Sequence, residues 1–63
     1  MRTPTDRIAE SRRREIFAAL VAAQDAGAPV TRSRSEVADQ FDLTREEVVA
    51  IEREGLDNDW PPL

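Results

Sequence analysis

The chain has 63 residues, no cysteine or histidine, and a net charge of −4. This length allows one small core, without the residues for a disulfide or an ordinary zinc site. Because lysine and tyrosine are absent as well, we expect neither catalysis, nor a cofactor, nor a bound metal ion.

A long first helix is predicted from about residue 5 to residue 25. Apolar residues recur with helical spacing between residues 16 and 23, and Gly27 follows as a helix-ending residue. Upstream of residue 16 the apolar stripe fades. We therefore expect residues 1–13 to project beyond the body of the domain or to fray.

A second helix is predicted over residues 34–41. The segment from Ser33 to Glu36 has the form of a capping box, in which the serine hydroxyl meets the third amide and the glutamate reaches back. Val37 and Phe41 then supply an apolar face. This pattern places the start of the helix at Ser33.

A third helix is predicted over residues 45–54, closely following the second. Thr44 and Glu47 form another potential capping box, Val48 and Ile51 supply the apolar face, and Gly55 marks the end. Two short helices with a tight connection, covered by a longer helix, are typical of a helix-turn-helix.

The expected fold is an all-α, small three-helix domain with a long first helix, a C-terminal helix-turn-helix and an extended, Pro-rich tail. Residues 1–63 form one domain, and residues 57–63 form a non-helical tail because Pro61 and Pro62 do not fit a helix. Trp60 either folds back onto the core or belongs to a docking peptide for a partner groove. The expected core is Phe17, Leu20, Val37, Phe41, Val48 and Ile51.

Residues 33–56 resemble the fourth conserved region of bacterial sigma-70-type sigma factors. The alignment has no gap, and these residues coincide with the family pattern: Glu36, Val37, Gln40, Phe41, Asp42, Thr44, Arg45, Glu46, Ile51, Glu52 and Leu56. The resemblance implies a helix-turn-helix whose third helix enters the major groove of promoter DNA. It thus implies a small bacterial or phage transcription regulator in the cytoplasm.

Candidate DNA contacts lie on the third helix, where the resemblance implies contacts by Arg45 and Glu46, and around the start of the second helix. On the third helix they are Thr44, Arg45, Glu46, Val49 and Ala50, and before it they are Arg32, Ser33 and Arg34. The family has arginine where this chain has Glu47 and Val49. A glutamate there would repel phosphate, so these departures weaken the expected DNA contact.

Charge is unevenly distributed along the chain. Residues 1–34 carry a net charge of +3 and residues 35–63 a net charge of −7, with arginine as the only basic residue type. Arg12, Arg13 and Arg14 are therefore candidate phosphate contacts. Alternatively, they pair with Glu10 and Glu15 on a solvated helix face.

Two classes of partner follow from these features. The basic first half favours double-stranded DNA, whereas the acidic surroundings of the third helix favour a protein partner such as transcription machinery. The small core also favours assembly into a homodimer, which a projecting first helix would mediate. No apolar run suits a membrane span or a secretory signal, so we expect no membrane partner.

Overall fold

The computed structural model describes residues 5–62, which form three helices and no strand. Helix α1 spans Glu10–Asp25, α2 spans Val30–Phe41 and α3 spans Arg45–Asp57, and each helix packs against both of the others. The expected all-α, three-helix fold is confirmed.

The start of the chain differs from the expectation of a projecting or frayed segment. Residues 5–8 form a turn in which the Ile8 amide donates to the Thr5 carbonyl oxygen at 2.9 Å, and α1 begins only at Glu10. A helix continued back to Thr5 would point Ile8 roughly 120° away from the apolar stripe of α1. With the turn, Ile8 is buried in the core instead. Residues 1–4 of the expected projection lie outside the described residues.

Helix α2 begins four residues earlier than the predicted residue 34, so the capping box at Ser33 is wrong. Pro29 precedes its first residue, Val30, with a φ of −58° that suits a helix start, where the amide missing from proline needs no helical partner. Ser33 lies inside the helix and is buried, and its hydroxyl donates to the Val30 carbonyl oxygen at 2.7 Å.

The predicted capping box of α3 is confirmed. The Thr44 hydroxyl accepts from the Glu47 amide at 3.1 Å, and the Glu47 carboxylate accepts from the Thr44 amide at 2.9 Å. The helix continues past the expected end at Gly55, which is buried against α1. A Cβ atom there would lie 2.2 Å from Cδ1 of Phe17, so glycine allows α1 and α3 to approach closely.

All three helices end in the same backbone arrangement. Gly27, Asp42 and Asp59 have φ values of 101°, 57° and 51°. The next residue in each case donates its amide to the carbonyl five residues back, as in Ala28 to Ala23, Leu43 to Ala38 and Trp60 to Gly55. These are Schellman motifs, which satisfy the last carbonyl groups of a helix. The prediction that Gly27 ends the first helix is confirmed.

The core lies where the three helices meet. It consists of Ile8, Ile16, Phe17, Leu20, Val37, Ala38, Val48, Ile51 and Trp60. Phe41 is partly buried against it, so the six predicted core residues do pack together. Trp60 is 3% exposed and meets Phe17 edge to face, with ring centroids 6.1 Å apart. The tail therefore folds back through Trp60, and this side chain is not a free docking element; Leu63 lies outside the described residues.

Candidate nucleic-acid interface

Arg12 and Arg14 form ion pairs within α1, as the alternative interpretation of the arginine triplet anticipates. The nitrogen–oxygen distance is 2.8 Å from Arg12 to Glu15 and 3.1 Å from Arg14 to Glu10. The guanidinium carbon of Arg12 also lies 4.8 Å from the centroid of the Phe41 ring, and that of Arg14 lies 5.1 Å from the centroid of the Trp60 ring. Their charges are already engaged on the surface of α1.

Arg13 connects α1 to α3 instead of facing outward. Its Nε and Nη2 atoms donate to the two carboxylate oxygens of Glu54 at 2.8 and 3.0 Å, and its Nη1 atom donates to the carbonyl oxygen of Ile8. Only 17% of the side chain is exposed. The hydrogen bonding of Arg13 to the Glu54 carboxylate, which accepts from it, raises the pKa of Arg13 above its ordinary value. Arg13 therefore links α1 and the N-terminal turn to α3, and its charge is already paired within the fold.

Glu47 does not lie on the expected DNA-facing surface. Its side chain is 10% exposed, and its carboxylate accepts from the Thr44 amide and pairs with Arg7 of the N-terminal turn. The Thr44 amide is the main cause that holds the pKa of Glu47 below its ordinary value. The expected repulsion between Glu47 and phosphate is therefore wrong, because this charge is directed inward and neutralised.

Of the three candidate DNA contacts at the start of α2, only Arg32 is exposed and without an ion pair among the described residues. Ser33 is fully buried, with its hydroxyl also 3.3 Å from the side-chain nitrogen of Gln24, so the expected phosphate contact is wrong. Arg34 donates from Nε and Nη2 to one oxygen of Glu52 at 2.9 and 2.7 Å. Arg32 is exposed, and no carboxylate of residues 5–62 forms an ion pair with it.

The candidate residues of α3 lie together on its solvent side. We call this surface, formed by Arg45, Glu46, Val49, Ala50 and Arg53, the outer face of α3. The charged members are exposed, while Val49 and Ala50 are half-buried. Val49, Ala50 and Arg53 line a shallow groove whose far side is the N-terminal turn. Thr44 precedes this face, and its hydroxyl is occupied by the cap of α3.

Arginines without an ion pair are restricted to the helix-turn-helix in the part of the chain that the structure describes. Arg7, Arg12, Arg13, Arg14 and Arg34 have carboxylate partners. Arg32 on α2 and both Arg45 and Arg53 on α3 have none. Sequence analysis missed Arg53, although it lies four residues after Val49 and eight after Arg45, a spacing that keeps all three on one side of a helix.

Within residues 5–62 there is no cluster of three side chains that could hold a metal ion, and no helix has the length and apolar content to cross a membrane. Comparisons of the chain with protein families, with curated proteins and with solved structures found no match.

Proposed function

We propose that this protein is a small helix-turn-helix regulator that binds double-stranded DNA through α2 and the outer face of α3. The observation that carries the proposal is the distribution of ion pairs. Within residues 5–62, the arginines of the N-terminal turn and α1 are paired with carboxylates, whereas Arg32, Arg45 and Arg53 keep their charge for an external anion. The resemblance to the sigma-70 region adds that the DNA is a promoter-like element in a bacterial or phage genome.

The outer face of α3 has the dimensions of a major-groove element. An α-helix with its side chains is about 10–12 Å in diameter, which fits the width of the major groove, about 12 Å. In this arrangement Arg45, at the first turn, donates to a base edge. Arg32 contacts phosphate, and Val49 offers its methyl groups to a thymine methyl.

Binding of another protein through the same face is the alternative function. The outer face carries the acid Glu46 as well as its two arginines, and Asp57 follows one turn later, so its local charge is close to zero. Leu56, which is 53% exposed, extends the apolar surface beyond Val49. Mixed charge around apolar residues is common in protein interfaces.

A salt titration with mixed-sequence duplex DNA separates the two functions. For wild-type protein we expect log affinity to fall with log salt, and each of Arg32→Ala and Arg53→Ala to reduce that slope by about 0.9 if the residue contacts one phosphate. Arg45→Ala should cost about 1–3 kcal/mol on the preferred site and less on other sequences. Fluorescence anisotropy of a labelled duplex measures all of these values.

Arg12→Ala is the matched control because it removes the same charge from a residue that is already paired with Glu15. We expect it to leave the salt slope unchanged. If wild-type protein does not bind duplex DNA at about 50 mM salt, where screening is weak, the DNA function is wrong and the protein-binding alternative stands.

A further inference from the structure

The outer face of α3 has a charge pattern that complements itself. Val49 and Ala50 lie at its centre, Glu46 lies about one helical turn before them, and Arg53 lies about one turn after them. Glu46 and Arg53 are both exposed, and within residues 5–62 neither forms an ion pair. The face thus has an apolar centre with an acid on one side and a base at equal distance on the other.

We propose that this face binds the same face of a second copy, with the two α3 helices antiparallel about a twofold axis. Such an axis between Val49 and Ala50 brings Glu46 of each copy to Arg53 of the other. It also packs Val49 of each copy against Val49 of the other, and Ala50 against Ala50. The contact is isologous, so one surface satisfies both partners and the assembly closes as a dimer.

Several features of the fold favour a second copy of the chain as the partner that binds the outer face of α3. The charges of Glu46 and Arg53 cancel between copies, which a uniformly basic or acidic partner would not achieve. Exposed Leu56 lies one turn beyond Arg53 and becomes partly covered in the dimer. One helix face buries less than about 1,200 Å² in total, a size typical of transient complexes. The dimer is therefore weak and depends on protein concentration.

The dimer has a regulatory consequence that rests on the proposed DNA function. The outer face is the surface assigned to the major groove, so a copy engaged in the dimer has no free face for DNA. Dimer and DNA complex then compete, and DNA releases monomers from the dimer. The dimer itself requires no DNA, so the two proposals are tested separately.

Charge reversal tests the dimer without DNA. Sedimentation equilibrium of the full chain, over a concentration series, should show a monomer–dimer equilibrium. In a dimer of the Glu46→Arg variant, arginine faces arginine at both contacts between positions 46 and 53. In a dimer of the Arg53→Glu variant, glutamate faces glutamate at both contacts. Each variant alone should self-associate about tenfold more weakly than wild type. Circular dichroism checks that each variant keeps its helices.

Mixing the two variants is the decisive measurement. A Glu46→Arg chain facing an Arg53→Glu chain has opposite charges at both contacts, so the mixture should form a heterodimer with about wild-type affinity. Glu36→Arg, an equal charge reversal on exposed α2 surface, should leave association unchanged. The proposal is overturned if wild type is monomeric at every concentration, if either single reversal has no effect, or if the mixture stays monomeric.

Adding duplex DNA to the wild-type dimer tests the competition. We expect DNA to convert dimers into monomer–DNA complexes. If the dimer forms but DNA does not bind, the proposed DNA function fails and the dimer stands. If DNA binds while the dimer persists, the two ligands do not share the outer face and the competition is wrong.

Discussion

At the scale of single residues, Glu47 shows how one side chain joins local and long-range structure. Its carboxylate closes the cap of α3 with Thr44 and also binds Arg7, which is forty positions away in sequence. Sequence analysis predicted the first contact because capping follows a fixed local spacing. It could not predict the second, because no local pattern reveals which distant charge the folded chain brings close.

Acid should weaken the fold through Glu47. Its pKa is lower in the folded chain than in the unfolded chain, chiefly because the Thr44 amide donates to the carboxylate. The stabilisation is therefore present above the unfolded pKa and is lost as the pH falls through the folded pKa. Glu47→Gln should lower stability at neutral pH by about 1 kcal/mol and flatten the acid dependence. Urea denaturation at several pH values measures both effects.

Glu15→Gln is the control for this experiment, since it removes the same charge from a largely exposed pair with Arg12. We expect it to change stability at neutral pH by less than about 1 kcal/mol. A Glu47→Gln protein with the same acid dependence as wild type would show that Glu47 does not link folding to pH.

At the scale of elements, local sequence patterns located the three helices better than their ends. Thr44 and Gly27 were predicted correctly because each acts through its own backbone neighbourhood. Ser33 matched a cap pattern, but it lies four residues before Val37 on the buried side of α2, so packing placed it inside the helix. Gly55 was similarly taken for a helix end, although its role is contact with Phe17. Tertiary packing decides where these helices begin and end, and this packing cannot be inferred from the spacing of residues in the sequence.

In the candidate site as well, some residues could be placed from the sequence, and others could be placed only from the folded structure. Arg45 and Glu46 were identified from the resemblance to the sigma-70 region and Val49 from helical spacing, and all three lie on the outer face of α3. Arg13 was expected either to contact phosphate or to pair with a glutamate of the first helix, and is instead bound to Glu54, forty-one positions away. Which arginines remain available for a ligand therefore depends on long-range pairing, which only the folded structure reveals.

Substitutions at two equivalent helix ends are expected to change the free energy of unfolding in opposite directions. Asp42 and Gly27 occupy the same left-handed position of their Schellman motifs. Asp42→Gly should raise the free energy of unfolding by about 1 kcal/mol, because glycine has no Cβ penalty there and the acid leaves a helix C-terminus. Gly27→Ala should lower it by a similar amount through backbone strain alone, since its Cβ would have open space.

Thermal unfolding followed by circular dichroism measures both changes. If Asp42→Gly destabilises the protein, the aspartate side chain makes a contribution that outweighs its backbone strain. If Gly27→Ala is neutral, the left-handed conformation is not required to end α1.

At the scale of the whole molecule, the surface ion pairs contribute less than the core. Exposed pairs such as Arg12–Glu15 are worth about 0–1 kcal/mol each, whereas removing a buried aromatic side chain costs about 3–5 kcal/mol. A domain of this size has a total stability of about 3–5 kcal/mol. The free energy contributed by packing Trp60 of the tail on the helices is therefore comparable to the free energy of unfolding of the entire domain.

Trp60→Ala should consequently unfold the isolated protein at room temperature. The substitution removes a ring that is 3% exposed, its edge contact with Phe17 and the surface beneath the Arg14 guanidinium. Val30→Ala is the control, because Val30 is 48% exposed and its loss should cost less than about 1 kcal/mol. Far-UV circular dichroism with urea denaturation distinguishes the two variants. If Trp60→Ala unfolds cooperatively at nearly the wild-type urea concentration, the three helices are stable without the tail, and the fold would depend on α1, α2 and α3 alone.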